Sequence, residues 1–303
     1  MFRNVTELVS LAEQSQVKIA EIMIRQEIEV SGQSREEIIA KMEQNLAVME
    51  KALERGLNGV KSQTGLTGGD AVLLQNYIKS GKGLSGDLLL DAVSKAVATN
   101  EVNAAMGVIC ATPTAGSAGV VPGTLFAVKE KLSPTRMEMI EFLFTAAAFG
   151  FVVANNATVS GAAGGCQAEV GSAAGMAAAS IVEMAGGTPR QAAEAMAITL
   201  KNMLGLVCDP VAGLVEVPCV KRNAMGASNA LTAADMALAG ITSRILCDEV
   251  IAAMYEIGKT MPSALRETAQ GGLAATPTGR RLEAEIFGEP KEKLKDYLVA
   301  SIS

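Results

Sequence analysis

Residues 156–226 read NATVSGAAGGCQAEVGSAAGMAAASIVEMAGGTPRQAAEAMAITLKNMLGLVCDPVAGLVEVPCVKRNAMG, and the rest of the chain is organised around them. The stretch is dense in alanine and glycine, and such small residues allow helices to pack with their backbones close together. Gly186-Gly187 predicts the end of one helix, and Thr188 before Pro189 predicts the cap and first turn of the next. The pattern therefore favours a bundle of closely packed helices.

The same stretch carries three of the five cysteines, Cys166, Cys208 and Cys219. Cys166 precedes a predicted small-residue helix, and Cys219 follows Pro218, a residue favoured in the first turn of a helix. A helix N-terminus favours negative charge and lowers the pKa of a thiol. Three thiolates at such positions predict a soft metal site with one coordination position left open.

Other interpretations of the cysteines stay open at this point. None of the three forms the close pair typical of a structural zinc site. Free cysteines are often buried simply as small apolar side chains, and that is our interpretation of Cys110 and Cys247, which fall in apolar helical patterns. A disulfide between Cys208 and Cys219 would need an oxidising compartment, which the composition does not favour.

Outside this stretch, strand-like alternation is nearly absent, so we predict an all-α protein. The capping box Ser34–Glu37 starts one helix of an N-terminal helical hairpin. We expect a single domain over 1–303, with residues 1–60 as a candidate outrigger. The predicted helices cover about 5–30, 34–56, 70–79, 87–98, 101–110, 124–132, 135–149, 167–185, 189–204, 218–229, 232–239 and 243–258.

Composition excludes several classes of function. The chain of 303 residues has 49 % hydrophobic and 19 % charged residues, with a net charge of −6. No basic stripe is present, which argues against a nucleic acid partner. The longest uncharged apolar run, Phe142–Val153, is shorter than the roughly 20 residues that cross a bilayer. We therefore expect a cytoplasmic protein with no membrane partner.

Two loops and two glutamates are further candidates for a functional site. The loop Thr112–Gly119 offers hydroxyls and backbone N–H groups ahead of a helix, and residues 155–161 offer similar groups, so together they predict a small-anion site. Ordinary turns are the alternative. Glu169 and Glu216 lie near the cysteines in sequence, as base candidates or as surface residues. The chain has no histidine, so any general base must be another group or belong to another chain.

Four blocks of this sequence resemble one known family. They read TPTAGSAGVVPG (112–123), NATVSGAAGGCQAEVGSA (156–173), CDPVAGLVEVPCVKRNAMGA (208–227) and ALRETAQGGLAATPTGRRL (264–282). They are similar to the signature blocks of iron–sulfur-dependent L-serine dehydratases. The resemblance spans about residues 1–290 and is closest to the α subunit of the two-subunit bacterial form.

The resemblance implies an oxygen-sensitive [4Fe–4S] cluster held by Cys166, Cys208 and Cys219, and no pyridoxal phosphate. It implies conversion of L-serine to pyruvate and ammonia. Single-chain relatives carry a C-terminal cysteine and a second domain thought to supply a histidine base, and this chain has neither that cysteine nor a histidine. The resemblance therefore implies a separate β subunit, with a higher oligomer also compatible.

On this hypothesis, an open iron binds the hydroxyl of serine as a Lewis acid. The expected base is a histidine of the β subunit, with Glu169 as the internal alternative. The residues expected to bind and orient the substrate are Thr112, Thr114, Gly116, Ser117, Gly119, Ser160 and Asn223.

Three competing hypotheses remain. An iron–sulfur redox or oxygen-sensing subunit would prefer four protein ligands. A cluster-bearing scaffold that is inactive without its β subunit would fit the missing histidine. A pyridoxal-phosphate lyase would need a lysine in a cofactor motif, and no lysine here lies in a convincing one.

Overall fold

Thirteen α-helices form the regular structure of residues 1–288, the part of the chain described by this computed structural model. Strands are absent from these residues, and one isolated parallel bridge joins Cys208 and Arg266. The predicted all-α class is confirmed. The helices are α1 (Val5–Ser15), α2 (Ile19–Ser31), α3 (Arg35–Leu57), α4 (Asp70–Lys79), α5 (Asp87–Ala104), α6 (Val120–Leu132), α7 (Arg136–Asn156), α8 (Gly161–Gly164), α9 (Ser172–Met184), α10 (Pro189–Lys201), α11 (Cys219–Leu238), α12 (Cys247–Thr260) and α13 (Pro277–Phe287).

Helix α9 lies at the centre of the molecule. Every residue from Ser172 to Val182 is buried, and the helix packs against α6, α7, α10 and α11. Its alanines leave room for four neighbours, because an alanine side chain adds only one methyl group to the helix surface. The alanine-rich pattern in the sequence is therefore the signature of a helix surrounded on all sides.

Helix α6 crosses α5 almost backbone to backbone. A Cβ atom placed at Gly123 would lie 2.6 Å from the backbone nitrogen of Ala96, and one at Gly119 would lie 2.1 Å from the Ala96 carbonyl oxygen. No side chain larger than hydrogen fits at either position. This contact fixes the start of α6, and with it the loop that precedes the helix.

Several predicted helix boundaries differ in the structure. The segment predicted as one helix over 5–30 is divided, because Gln16 adopts a left-handed conformation with φ 53° and ends α1. The prediction of a separate helix over 101–110 is wrong, since α5 continues to Ala104 and a loop follows. The helices predicted over 218–229 and 232–239 are one continuous helix, α11.

The candidate outrigger packs on the rest of the molecule. Leu8, Ile19 and Leu46, from α1, α2 and α3, are all fully buried in the same apolar cluster as α7 and α9. The single-domain assignment over 1–303 stays a prediction, and residues 289–303 lie outside the described part of the chain.

Distant carboxylates cap three helix N-termini. Asp248 accepts hydrogen bonds from the N–H groups of Val5, at 2.7 Å, and Thr6, at 2.9 Å, at the start of α1. Glu183 caps α2 in the same way, and Glu101 caps α4. A carboxylate stabilises a helix N-terminus by pairing its free N–H groups and by opposing the helix dipole. These caps tie together segments that are far apart in sequence.

Helix α7 is long and apolar enough to cross a membrane by length and composition, with a mean hydropathy of 1.7 over its most apolar window. However, 67 % of that window is buried inside the protein. Packing against α2 and α9 explains its apolar character. Helix α7 is therefore a core helix of this fold.

Candidate functional site

The three cysteines singled out in the sequence lie at the ends of different elements. Cys166 precedes a single π-helical turn (Gln167–Gly171) that runs into α9, Cys208 lies in the loop between α10 and α11, and Cys219 is the first residue of α11. Their exposed fractions are 1 %, 2 % and 6 %. The predicted positions of Cys166 and Cys219 at helix starts are confirmed.

Two of the thiols meet at a carboxylate. The Sγ atoms of Cys166 and Cys208 and a carboxylate oxygen of Glu169 all lie within 4.8 Å of one another. Cys219 is not part of this 4.8 Å group. Gly161 closes the group from one side, because a Cβ atom there would lie 3.1 Å from the Cys208 sulfur and 2.9 Å from the Glu169 carboxyl carbon.

The Cys166 and Cys208 thiols lie within 4.8 Å of each other, and their interaction separates their pKa values. It lowers the pKa of Cys166, which the positive charge of Arg222 lowers further, against the opposing effect of burial. The same interaction, together with burial, raises the pKa of Cys208 far above its ordinary value. Of the pair, Cys166 is therefore the sulfur that carries negative charge more readily.

The expectation that a helix N-terminus lowers the pKa of Cys219 is wrong for this protein. Burial raises the pKa of Cys219 to about 12, and the charge of Cys166 contributes in the same direction. Desolvation of a thiolate in an apolar surrounding outweighs the partial charge of a helix end. Cys219 is therefore a protonated thiol in the protein alone.

Glu169 connects the cysteines to the loop Thr112–Gly119. Burial raises the pKa of Glu169, with the charge of Glu267 adding to the effect, while the polar groups of Gly161 and Thr114 favour the charged form and oppose it. A Cβ atom at Gly116 would lie 3.1 Å from a Glu169 carboxylate oxygen. The loop thus approaches the cysteine group through a glycine.

The loop itself is a short 3₁₀ turn, Ala115–Ser117, flanked by hydroxyl groups. Thr114 and Ser117 form a reciprocal cap, with 3.2 Å between their hydroxyl oxygens. Ser117 also hydrogen-bonds the carbonyl oxygen of Thr112 at 3.1 Å. The predicted substrate residues Thr112, Thr114, Gly116, Ser117 and Gly119 therefore lie on one connected turn.

Asn223 anchors this loop to α11. Its Oδ1 atom accepts a hydrogen bond from the Gly119 N–H at 3.0 Å, and its Nδ2 atom donates to the carbonyl oxygens of Gly116 at 2.8 Å and Cys219 at 2.9 Å. The side chain is fully buried. Its hydrogen-bonding groups are used within the protein, so its observed role is to hold the loop beside Cys219. The substrate contact predicted for Asn223 stays a prediction.

Ser160 lies at the start of the short helix α8, beside the cysteine group. It is half-buried and directly precedes Gly161, and its backbone carbonyl accepts a hydrogen bond from Gly164 at 2.8 Å. The two loops predicted to form a paired site therefore both reach Glu169, one through Gly116 and the other through Gly161. Binding of substrate by these loops stays a prediction.

The remaining candidates have structural surroundings. Glu216 is buried, and its carboxylate accepts hydrogen bonds from the hydroxyls of Thr64 at 2.9 Å and Thr67 at 3.0 Å. Cys247 lies in the apolar core, as expected. Cys110 is not helical as predicted but lies in the loop after α5, with its thiol 3.4 Å from the carbonyl oxygen of Asn45.

Three charged side chains of this site, Arg222, Asp209 and Glu267, were not predicted from the sequence. All three lie inside the quoted blocks, at 208–227 and 264–282. Arg222 is three residues after Cys219, so helical spacing places it beside Cys219 on the same helix face, about one turn further along. Glu267 follows Arg266, the residue paired with Cys208, and this contact between distant segments has no local signal in the sequence.

The residues present fit a soft metal or an iron–sulfur cluster. Thiolates are the ligands that such centres prefer. Polar atoms around the site also lack partners: Asn100 donates to the carbonyl oxygens of Gly116 and Cys219, but its Oδ1 atom is buried without a hydrogen bond. Thr112 Oγ1 and Arg266 Nε are buried and unpaired as well. Native proteins rarely leave such groups unsatisfied, so these atoms are consistent with a site that receives a ligand.

The fold and the site define an all-α protein with a buried, thiol-rich site suited to a soft metal. The profile of the family described as serine dehydratase alpha chain matches residues 14–274. The chain belongs to this family.

Individual relatives agree with this assignment. The chain is 78 % identical over 288 residues to the probable L-serine dehydratase, alpha chain, of Bacillus subtilis, covering 95 % of this chain and 96 % of the relative. It is 43 % identical to the L-serine dehydratase, alpha chain, of Peptoniphilus asaccharolyticus, covering 95 % and 99 %. The L-serine dehydratase of Haemophilus influenzae is 37 % identical, covering 90 % of this chain and 61 % of the longer relative.

Proposed function

We propose that this chain is the α subunit of a cytoplasmic L-serine dehydratase, which removes water and then ammonia from L-serine to give pyruvate. The observation that carries the proposal is the buried meeting of Cys166, Cys208 and Glu169 within 4.8 Å. The choice of L-serine as the substrate follows from the names of the relatives. Cys166, Cys208 and Cys219 would hold a [4Fe–4S] cluster, and no pyridoxal phosphate takes part.

When bound, such a cluster supplies an open iron that acts as a Lewis acid toward the substrate hydroxyl, because three protein ligands leave one position free. The chain's own residues provide the surroundings. Burial of the three thiols keeps water away from the site, which strengthens electrostatic interactions there. The hydroxyls of Thr114 and Ser117, with Thr112 and the glycines of the same turn, bind and orient the substrate carboxylate.

Glu169 is a carboxylate of this chain that lies within 4.8 Å of the Cys166 and Cys208 sulfurs. Its raised pKa brings it nearer to neutral pH than an ordinary glutamate, which suits a group that holds or moves a proton. The principal base is expected on a separate β subunit, as a histidine, since this chain has none. Loss of water gives 2-aminoacrylate, whose tautomer is hydrolysed to pyruvate and ammonia.

The test is anaerobic reconstitution of the chain with iron and sulfide, followed by assay with its β subunit. Replacing Cys166, Cys208 or Cys219 by Ala is expected to abolish both the visible cluster absorbance and pyruvate formation. Cys110→Ala and Cys247→Ala are the matched controls and are expected to retain both. Retention of iron and activity by Cys208→Ala would contradict the proposal.

A further inference from the structure

A buried ion pair lies directly beside the proposed thiol ligands. Arg222 Nη2 donates to a carboxylate oxygen of Asp209 at 2.7 Å, and the two side chains are only 12 % and 5 % exposed. A buried charge is costly unless its partner and its remaining hydrogen bonds are all in place. Surface solubility therefore does not explain an ion pair at this buried position.

The other contacts of Arg222 run to the segments that carry the cysteines. Its Nη1 atom lies 3.3 Å from the Sγ of Cys166 and donates to the carbonyl oxygen of Val207 at 2.8 Å. Arg222 itself stands on α11, one turn after Cys219. One guanidinium thus contacts the first thiol, both chain neighbours of Cys208, and the helix that begins with the third thiol.

Asp209 holds the guanidinium from the opposite side. Its second oxygen accepts a hydrogen bond from the Leu273 N–H at 2.7 Å. Gly272 makes this approach possible, because a Cβ atom there would lie 2.3 Å from that oxygen. The carboxylate is therefore fixed by the loop 271–273 and cannot turn away from Arg222 without losing a hydrogen bond.

From this geometry we propose that Arg222, oriented by Asp209, is a positioning residue. It holds the three thiols in the positions needed to bind metal and balances their negative charge when metal binds. The proposal rests on the proposed function, because it concerns the same thiol site. A planar guanidinium can contact Cys166, Val207 and Asp209 at once. A lysine ammonium is a single point charge and cannot make these three contacts together.

The experiment uses Cd²⁺ alone as the probe, added anaerobically to the metal-free chain. Ultraviolet thiolate-to-cadmium absorbance reports both affinity and, through its intensity per bound ion, the number of sulfur ligands. Arg222→Gln is expected to weaken Cd²⁺ binding by about 10–100-fold, the usual effect of losing a residue that orients a metal ligand. The band intensity per ion is expected to fall to that of Cys166→Ala.

Arg136→Gln is the control, since Arg136 also forms ion pairs, with Glu43 and Glu50, but lies on α7, which carries none of the three proposed thiol ligands. It is expected to bind Cd²⁺ like the wild type. If Arg222→Gln does not fold, Arg222→Lys decides the question, with at least about tenfold weaker binding expected. Wild-type affinity and band intensity in a folded Arg222 variant would overturn the inference.

The two proposals fail in different ways. If the wild-type chain binds no Cd²⁺, or if its band does not depend on Cys166, Cys208 and Cys219, the thiol site itself is wrong, and the proposed function loses its main support. If the wild type binds through these thiols but the Arg222 variants match it, only the positioning role is wrong.

Discussion

The Oδ1 atom of Asn223 accepts a hydrogen bond at 3.0 Å from the backbone N–H of Gly119, a residue 104 positions earlier in the chain. This bond, with the two donated by the same amide, fixes the loop Thr112–Gly119 beside Cys219. The proposed substrate turn is therefore held by the helix that also carries a proposed metal ligand.

Asn223→Ala is expected to lower the free energy of unfolding by about 2–4 kcal/mol, because it leaves buried backbone groups without partners. It should also lower pyruvate formation more than the loss of folded protein explains, since the loop is released. Urea unfolding and an assay at saturating β subunit measure the two effects. Asn229 lies on the same helix, donates to the Thr199 carbonyl and accepts a hydrogen bond from Asn202, so Asn229→Ala should affect stability alone. Equal losses of activity in both variants would contradict this prediction.

Gly123→Ala is expected to destabilise the protein by about 1–3 kcal/mol, the usual cost of forcing extra volume into a packed core. The added methyl would lie 2.6 Å from the backbone nitrogen of Ala96, and backbone cannot move aside as a side chain can. Thermal unfolding measures the loss. Gly171→Ala is the control, since its nearest neighbour would lie at 3.6 Å, and it should be neutral or stabilising.

Gly272→Ala is expected to disturb the Asp209–Arg222 pair and so to weaken metal binding as well as stability. Gly272 has φ +60°, and its new Cβ would meet Asp209 at 2.3 Å. Gly240→Ala has a similar backbone strain, with φ +89°, but open space around it. The strain alone costs about 1–2 kcal/mol. Unfolding of both variants should therefore show a larger loss of stability in Gly272→Ala. In a Cd²⁺ titration, Gly272→Ala should lose affinity for Cd²⁺ and Gly240→Ala should not.

Glu101→Gln is expected to change how stability depends on pH. Burial raises the pKa of Glu101 above its ordinary value of 4.5, while the N–H groups of Asp70 and Ala71 oppose the shift. The folded chain then binds this proton more tightly than the unfolded chain does. Its stabilising contribution is present below the unfolded pKa and is lost as pH rises through the folded pKa.

The variant should therefore gain stability relative to the wild type as pH rises. Urea unfolding from about pH 5 to about pH 8 provides the comparison. Glu256→Gln, whose side chain is 65 % exposed in the parent, is the control and should run parallel to the wild type. A parallel profile for Glu101→Gln as well would contradict the assignment.

The all-α class could be predicted from the sequence because helix formation depends largely on residues that are close together in the chain. The alanine and glycine content of residues 167–185 predicts a helix that packs closely on its neighbours, and Ser34–Glu37 forms the predicted capping box. The break at Gln16 could not be predicted, since a non-glycine residue in the left-handed conformation leaves no mark in the sequence. The continuity of α11 was missed because its apolar spacing weakens near Asn229.

The candidate site was predicted as far as its residues lie in distinctive local blocks. Cys166 and Cys208 do meet, and the turn Thr112–Gly119 does reach Glu169. The pKa of Cys219 was predicted in the wrong direction, because the depth of burial depends on tertiary packing. Asp209 and Glu267 were missed for the same reason, since their partners come from remote parts of the chain.

The carboxylate cap on α1 has a consequence for how this protein is made. Asn4 pairs the Glu7 N–H at the start of α1, but the N–H groups of Val5 and Thr6 are paired by Asp248. A nascent chain stalled before residue 248 would therefore leave those two N–H groups to water. The full cap of the first helix forms only after most of the chain has been synthesised.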